Sequence, residues 1–190
     1  MPKSLYVDHT PIIQNKKFTF LGLDATSGAS AIAVQSTIGF NSLTTSSGQI
    51  ICIGELGNER TEILRTSQTA GPGGVSVPLR DSLQFDHPQD TKVYIVDYNR
   101  VEFNSATTVT GTKSTLTAYP IFIQADQKQT IYYDTTLTAG FYFARFNNMI
   151  EATNSDWSDA IPFAGYADNT VLAIKERALD AVDEEIGDVI

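Results

Sequence analysis

The sequence predicts a mainly β protein that ends in one α-helix. Two apolar runs, 49–54 and 92–98, are rich in Val, Ile and Tyr and are flanked by turn-forming residues, which is typical of strands. Between them, residues 59–65 show the period-two alternation of a strand. Apolar residues spaced by three and four appear only near the end of the chain, where they indicate an amphipathic helix.

Four segments follow from these patterns. Residues 1–17 show no sustained period and are predicted to be an extended N-terminal arm, either a frayed terminus or a segment that orders on a neighbouring subunit. Residues 18–100 are predicted to form a small β-barrel-like or sandwich unit, residues 101–165 a second β-sandwich, and residues 166–190 a C-terminal helix. No Gly/Ser/Pro-rich linker divides the two β regions, so the sequence is compatible with one continuous body. In the second region we expect strands at 101–103, 114–124, 129–134, 140–147 and 160–163.

Charge and composition narrow the function classes. A formal net charge of −9 argues against direct binding of nucleic acid, because such proteins concentrate Lys and Arg on one surface. No run approaches the roughly 18 apolar residues of a membrane span, and the N-terminus lacks the apolar core of a signal peptide. We therefore expect no membrane association and a chain that is made in the cytoplasm. The single cysteine, Cys52, lies inside an apolar run and is expected to be a buried hydrophobe rather than a nucleophile.

The catalytic candidates are few. Glu62, Asp86 and His87 are the one constellation that a small hydrolase could use. We expect the acids to be solvated or paired with Arg, and His87 to hydrogen-bond its own turn, because no Gly-x-Ser-x-Gly elbow accompanies them. Two histidines and one cysteine show no metal-ligand spacing. The sequence therefore predicts a protein that is not an enzyme, with no catalytic residues, metal or cofactor.

The end of the β region resembles a known sandwich. Leu137, Gly140 and Tyr142, followed by residues 145–147 and 155–161, resemble the last two strands of a fibronectin type III-like domain. The Leu-Gly-Tyr pattern is similar to a tyrosine corner, with an interval one residue shorter than the common form. The resemblance implies a β-sandwich over residues 101–165.

A second resemblance covers more of the chain. The order of several segments is similar to virion structural proteins of tailed bacteriophages, of the neck, adaptor, head–tail connector or tail-attachment kind. It implies a non-enzymatic subunit that forms a homo-oligomeric ring or shell and binds other virion proteins, such as portal, connector or tail components. The chain would then reside in the virion after assembly in the host cytoplasm. The segments are 50–54, 59–64, Leu83-x-x-Asp86-His87-Pro88, 93–103 and 169–183.

The predicted helix at 166–190 supplies the interface candidates. Its apolar stripe either docks on the protein's own β layers or binds a partner. Acidic residues crowd the helix end, where the dipole disfavours anions by about 0.3 to 1 kcal/mol each. Either the helix continues in a fuller gene product, or this end meets a basic, apolar surface of another protein. The candidate interface residues are Leu172, Leu179, Val182, Ile186, Val189 and Ile190.

An alternative function follows from the sandwich resemblance. Fibronectin-like sandwiches often present loops to ligands, so the chain could be a decoration module on the virion surface that recognises a carbohydrate or a receptor. The candidate ligand contacts are the loop aromatics Trp157 and Tyr166.

Overall fold

The computed structural model describes residues 3–14, 16–40, 48–67, 75–134, 137–148 and 150–163. The protein is mainly β, as the sequence predicts. The predicted helix at 166–190 lies outside the described residues. In chain order the elements are β1 Lys3–Asp8, α1 Thr10–Gln14, β2 Phe18–Phe20, β3 Ala31–Ala33, β4 Ile50–Ile53, β5 Glu62–Arg65, β6 Ser76–Pro78, β7 Lys92–Val96, β8 Arg100–Ala106, β9 Ser114–Thr115, β10 Ile121–Phe122, β11 Gln129–Asp134, β12 Gly140–Asn148, β13 Thr153–Asn154 and β14 Ile161–Phe163.

The central sheet has the antiparallel order β2-β7-β4-β5. All four residues of β4 are buried, because the sheet is covered on both faces. Ile51 and Ile53 face one apolar cluster, whereas Ile50 and Cys52 face another. A strand buried on both sides has an unbroken apolar sequence, which explains why the runs at 49–54 and 92–98 predict strands correctly.

The first apolar cluster fills the space between the central sheet and the two-stranded β3-β6 pair. Its members alternate along each strand, as the period of two requires. The cluster contains Leu21, Ala25, Ile32, Val34, Phe40, Ile51, Ile53, Val77, Leu79, Leu83, Val93 and Ile95.

The second apolar cluster covers the opposite face of the central sheet. Tyr94 and Val96 of β7 share it with Val101 and Phe103 of β8, so it joins side chains from both sides of residue 100. The division into units at 18–100 and 101–165 remains a prediction. Cys52 is fully buried in this cluster, as expected, and burial raises the pKa of its thiol to about 12.

The second large sheet has the order β10-β8-β12-β13, with β14 also paired to β12 and β9 to β8. The predicted single strand at 114–124 is wrong. β9 and β10 pair with different parts of β8, and a turn divides them in which Thr117 Oγ1 donates to the carbonyl of Tyr119. Pro120 follows, and its missing N–H could not have served a continuous strand.

A hydrogen bond of the tyrosine-corner type is present. Tyr142 is buried, and its hydroxyl donates to the carbonyl of Thr138 over 2.6 Å. The shorter interval from Leu137 to Tyr142 therefore does not prevent the contact that the resemblance implies.

The N-terminal segment lies along its own chain. β1 pairs with β11 over six residue pairs, and the five-residue helix α1 follows, with Pro11 in its first turn, where the missing N–H costs nothing. The fully buried His9 donates from Nε2 to the carbonyl of Gln127 over 2.7 Å. None of the helical structure in the described ranges has the length and apolar content needed to span a membrane.

Candidate functional site

A groove of about 530 Å³ lies between β1 and the segment that follows β13, with β12 as its floor. The sequence candidate Trp157 is one of its walls and is half-buried. Apolar and aromatic side chains dominate the lining, and a few polar groups converge on it, which is the usual character of a binding groove. The lining residues are Tyr6, Val7, Ala144, Arg145, Phe146, Ser155, Asp156, Trp157, Ser158 and Ile161.

Two serines fix the position of Trp157. Ser155 donates its backbone N–H to the carbonyl of Phe146, and its hydroxyl oxygen accepts the N–H of the same residue over 2.9 Å. Ser158 makes the same pair of contacts with Ala144, at 2.8 and 3.0 Å. The serine oxygens replace carbonyls of a regular strand, so the segment follows the edge of β12 and holds the indole between two anchors.

Two cations lie next to the indole ring of Trp157. The guanidinium carbon of Arg145 is 4.3 Å from the ring centroid, and Nε of Arg145 also donates to Glu102 over 2.7 Å. The ammonium of Lys113 lies 5.7 Å from the same centroid and 4.4 Å from that of Phe143. Among the described residues, Lys113 has no carboxylate partner. The indole therefore has two cations beside it, of which Arg145 is paired with Glu102, and the Asp156 carboxylate also lines the groove.

An exposed aromatic strip continues from the groove across the β1-β11 ribbon. Tyr6 is 63% exposed and stands opposite Ile131, and Tyr133, 69% exposed, lies two residues further along β11 on the same face. Tyr6 and Ile161 both line the groove, so the strip is continuous with Trp157. We call the following five residues the aromatic strip: Tyr6, Ile131, Tyr133, Trp157 and Ile161. The intervening Tyr132 points inward and stacks on Phe103 with ring centroids 5.8 Å apart.

Only part of this site is predictable from the chain. Trp157 is the one proposed site residue that the structure describes; Tyr166 and the six helix residues from Leu172 to Ile190 lie outside the described residues. Sequence reasoning missed Tyr6, Ile131 and Tyr133. The alternation around Tyr132 indicates that one face of β11 is outward, but nothing in the sequence places β1 beside it.

The structure brings together two of the three residues considered for hydrolysis. His87 Nε2 lies 2.9 Å from Glu62 Oε1, and each side chain is 4% exposed. The carboxylate also accepts the backbone N–H groups of Gln84 and Phe85, over 2.9 and 3.0 Å. The expectations that Glu62 is solvated or paired with Arg, and that His87 bonds within its own turn, are both wrong.

The geometry of this pair holds a loop in place. Three donors converge on the Glu62 carboxylate and tie residues 84–87 to β5. His87 also exchanges two backbone hydrogen bonds with Ala25, each of 2.8 Å. Asp86 is exposed and accepts the N–H of Ser27 instead. Among the described residues, no group of three or more His, Cys, Asp or Glu side chains could hold a metal ion.

No protein family, curated protein or solved structure matches this chain. The candidate site is defined by its own geometry.

Proposed function

We propose that this chain is a structural, non-enzymatic subunit of a tailed-phage virion, of the neck, head–tail connector or adaptor kind. It would bind copies of itself and other virion proteins. The sequence resemblance supports the virion assignment, and the aromatic strip supports assembly through protein–protein contacts.

The aromatic strip has the chemistry of a protein interface. Tyr and Trp are enriched at interfaces because they combine a large apolar area with a polar tip. Burying one large apolar side chain contributes about 1.5 to 3 kcal/mol. Tyr6 and Tyr133 would therefore contribute part of the free energy of a subunit contact, with the rest of the aromatic strip and its surroundings adding to it. In the described residues β1 and β11 each pair with a single strand, which leaves an outer edge of each for a partner.

The test is the solution mass of the full chain, measured by light scattering over a range of concentrations. We expect an oligomer that dissociates when Tyr6 and Tyr133 are both replaced by Ser. Tyr119→Ser is the matched control, because Tyr119 is 78% exposed but lies in the turn between β9 and β10. A chain that is monomeric at every concentration, or an oligomer that both variants leave intact, would refute self-assembly through the strip.

A chain ending at residue 165 tests the predicted C-terminal interface separately. If residues such as Leu179 and Ile186 mediate assembly, the truncated protein dissociates even though the aromatic strip is intact. An unchanged mass would remove the predicted helix from the proposal.

The alternative is a decoration module that binds a carbohydrate or a receptor, and the groove beside Trp157 favours it. The indole ring of Trp157 could stack on a sugar, and the neighbouring Lys113 and Arg145 could pair with an acidic substituent of that sugar. A glycan array separates the two proposals. Binding that disappears in Trp157→Ala would support the module, whereas no binding, or binding that this variant retains, would count against it.

A further inference from the structure

The β1-β11 ribbon and the second large sheet are packed layers whose strands can be matched one to one. Tyr132 of β11 stacks on Phe103 of β8, with ring centroids 5.8 Å apart. Val7 of β1 packs on the second apolar cluster, to which Ala144 of β12 belongs, and both residues line the groove beside Trp157. β11 therefore lies over β8, and β1 lies over β12.

The second large sheet extends one strand position further than the ribbon. Residues 155–158 follow the outer side of β12, where the N–H groups of Ser155 and Ser158 donate to the carbonyls of Phe146 and Ala144 over 2.9 and 2.8 Å. In the described residues, β11 is the only strand that pairs with β1. The groove of about 530 Å³ therefore lies where a third strand of the ribbon would cover residues 155–158.

The main chain of β1 points hydrogen-bonding groups towards this groove. The N–H of His9 donates to the carbonyl of Lys128 over 3.1 Å, which shows that odd-numbered residues of β1 bond towards β11. The N–H and carbonyl groups of Ser4, Tyr6 and Asp8 therefore point away from β11, and no described residue pairs with these main-chain groups. All three residues are exposed and Tyr6 lines the groove, so this edge is open to a partner.

The lining of the groove favours small apolar side chains on an added strand. Ala144 and Phe146 contribute apolar surface to its floor. The two charged residues of the lining, Arg145 and Asp156, have opposite signs, so charge selects neither an acidic nor a basic occupant. In an antiparallel strand beside β1, the residues that bond to Tyr6 and its even-numbered neighbours point their side chains outward, and the alternate residues face the floor.

A second copy of the folded chain does not fit this edge. If its β1 paired with the first β1 about a two-fold axis, its β12 would lie beneath the added strand, in the place that residues 155–158 already fill. The occupant is therefore an extended segment with no sheet of its own beneath it.

We propose that the outer edge of β1 binds an extended, uncharged segment of a partner protein as an added antiparallel strand. Ser4, Tyr6 and Asp8 exchange main-chain hydrogen bonds with alternate residues of the segment, and the intervening residues pack small apolar side chains on the floor. Strand addition of this kind obtains affinity from main-chain hydrogen bonds and specificity from side-chain contacts. The proposal needs neither self-assembly nor the virion assignment, so a chain that is monomeric in light scattering would leave its test unchanged.

The test uses the fluorescence of Trp157, which is the single tryptophan of the chain and lines the groove. The probe is the blocked peptide acetyl-Thr-Val-Thr-Val-Thr-amide, which contains neither Trp nor Tyr and matches the length from Ser4 to Asp8. Its central Thr stands opposite Tyr6. We expect a saturable change in Trp157 emission when millimolar peptide is added to the full chain.

Two N-methylated peptides provide the matched comparison. Methylation of the central Thr nitrogen removes the donor that faces Tyr6 and puts a methyl group between the strands, so binding should weaken by at least about tenfold. Methylation of a Val nitrogen alters only the opposite edge of the peptide, so binding should change by less than about threefold.

Substitutions at Tyr6 test the same contact from the protein side. Tyr6→Pro removes the outward N–H, and edge strands tolerate Pro where the N–H faces away from the sheet. Tyr6→Ser removes the same aromatic side chain but keeps the N–H, so it should bind the peptide at least about tenfold more tightly than Tyr6→Pro.

Hydrogen exchange of the wild-type chain reads the edge directly, even if Tyr6→Pro does not fold. Peptide should slow the exchange of the Ser4, Tyr6 and Asp8 amides. The amides of Leu5 and Val7 bond to β11 and should exchange slowly with or without peptide.

Any one of three results would overturn the proposal. The first is a wild-type chain in which peptide changes neither Trp157 emission nor the exchange of the Tyr6 amide. The second is equal binding of the two methylated peptides. The third is a Tyr6 amide that already exchanges as slowly as that of Val7 without peptide, which would mean that the edge is occupied.

Discussion

Replacing Glu62 by Ala should strongly destabilise the fold. The change removes the acceptor for His87 Nε2 and for the N–H groups of Gln84 and Phe85, in surroundings where Glu62 and His87 are only 4% exposed. A buried donor that is left without its acceptor costs about 1 to 3 kcal/mol, and three donors lose theirs here, so we expect a total loss of about 4 kcal/mol. Since domains are stable by only about 5 to 15 kcal/mol, this loss is a large fraction of the total.

Urea unfolding followed by circular dichroism measures the loss. With an m-value of about 2 kcal/mol per molar urea, a loss of 4 kcal/mol moves the midpoint down by about 2 M. Glu62→Gln keeps one carbonyl oxygen as an acceptor and should cost less than Glu62→Ala. Glu59→Ala is the control, because Glu59 is an exposed acid just before the same strand and should change stability by less than about 0.5 kcal/mol.

The reasoning fails if Glu62→Ala costs less than about 1 kcal/mol. That result would mean that the loop at 84–87 finds other acceptors, or water, without disturbing the first apolar cluster. It would also remove the interpretation of Glu62 as the residue that ties this loop to β5.

Three further predictions concern buried groups. Tyr142→Phe should cost about 1 kcal/mol, because it deletes the hydrogen bond to the carbonyl four residues earlier; Tyr119→Phe, an exposed control, should be neutral in the same urea assay. Burial lowers the pKa of His9 from its ordinary 6.5, so the unfolded chain takes up the proton first and the free energy of unfolding falls as pH drops below about 6.5. The free energy of unfolding of the His9→Gln variant should therefore depend less on pH. The check is to measure the urea midpoints of the wild type and of this variant at neutral and at acidic pH. Because His87 is present in both proteins, the difference between their pH dependences reports His9. The Cys52 thiol, with a pKa of about 12, should not react with a disulfide reagent until the protein is unfolded, and rapid reaction in the native state would contradict its burial.

The strands that can be predicted from the sequence are those that pack against apolar side chains on both faces of the sheet. β4 and β7 are visible as unbroken runs because the central sheet lies between two apolar clusters. The prediction fails where the decisive contact is distant along the chain. Glu62 meets His87 across 25 residues, and His9 meets Gln127 across 118, so neither pairing has a local signal.

Short helices and strands are not predicted from the sequence for a different reason. Helix α1 has only five residues, too few to show a helical period, and its position depends on Ile13, which is buried in the second apolar cluster. The segment 114–124 has β propensity throughout, yet it is divided because two stretches of β8 each take one of its ends. Propensity identifies the residues that suit a strand, and pairing decides where each strand stops.

Alternate side chains of β1 have different roles: the inward ones stabilise the fold, and the outward one is available for contact with a partner. Leu5 and Val7 point inward and pack on the second apolar cluster, whereas Tyr6 between them is outward. A two-stranded ribbon is marginal by itself, so this inward packing is what presents Tyr6 and Tyr133 as a fixed surface. Replacing the two outward tyrosines leaves the packed side of the ribbon untouched. A change in solution mass in that variant therefore reports a lost contact between subunits rather than a lost fold.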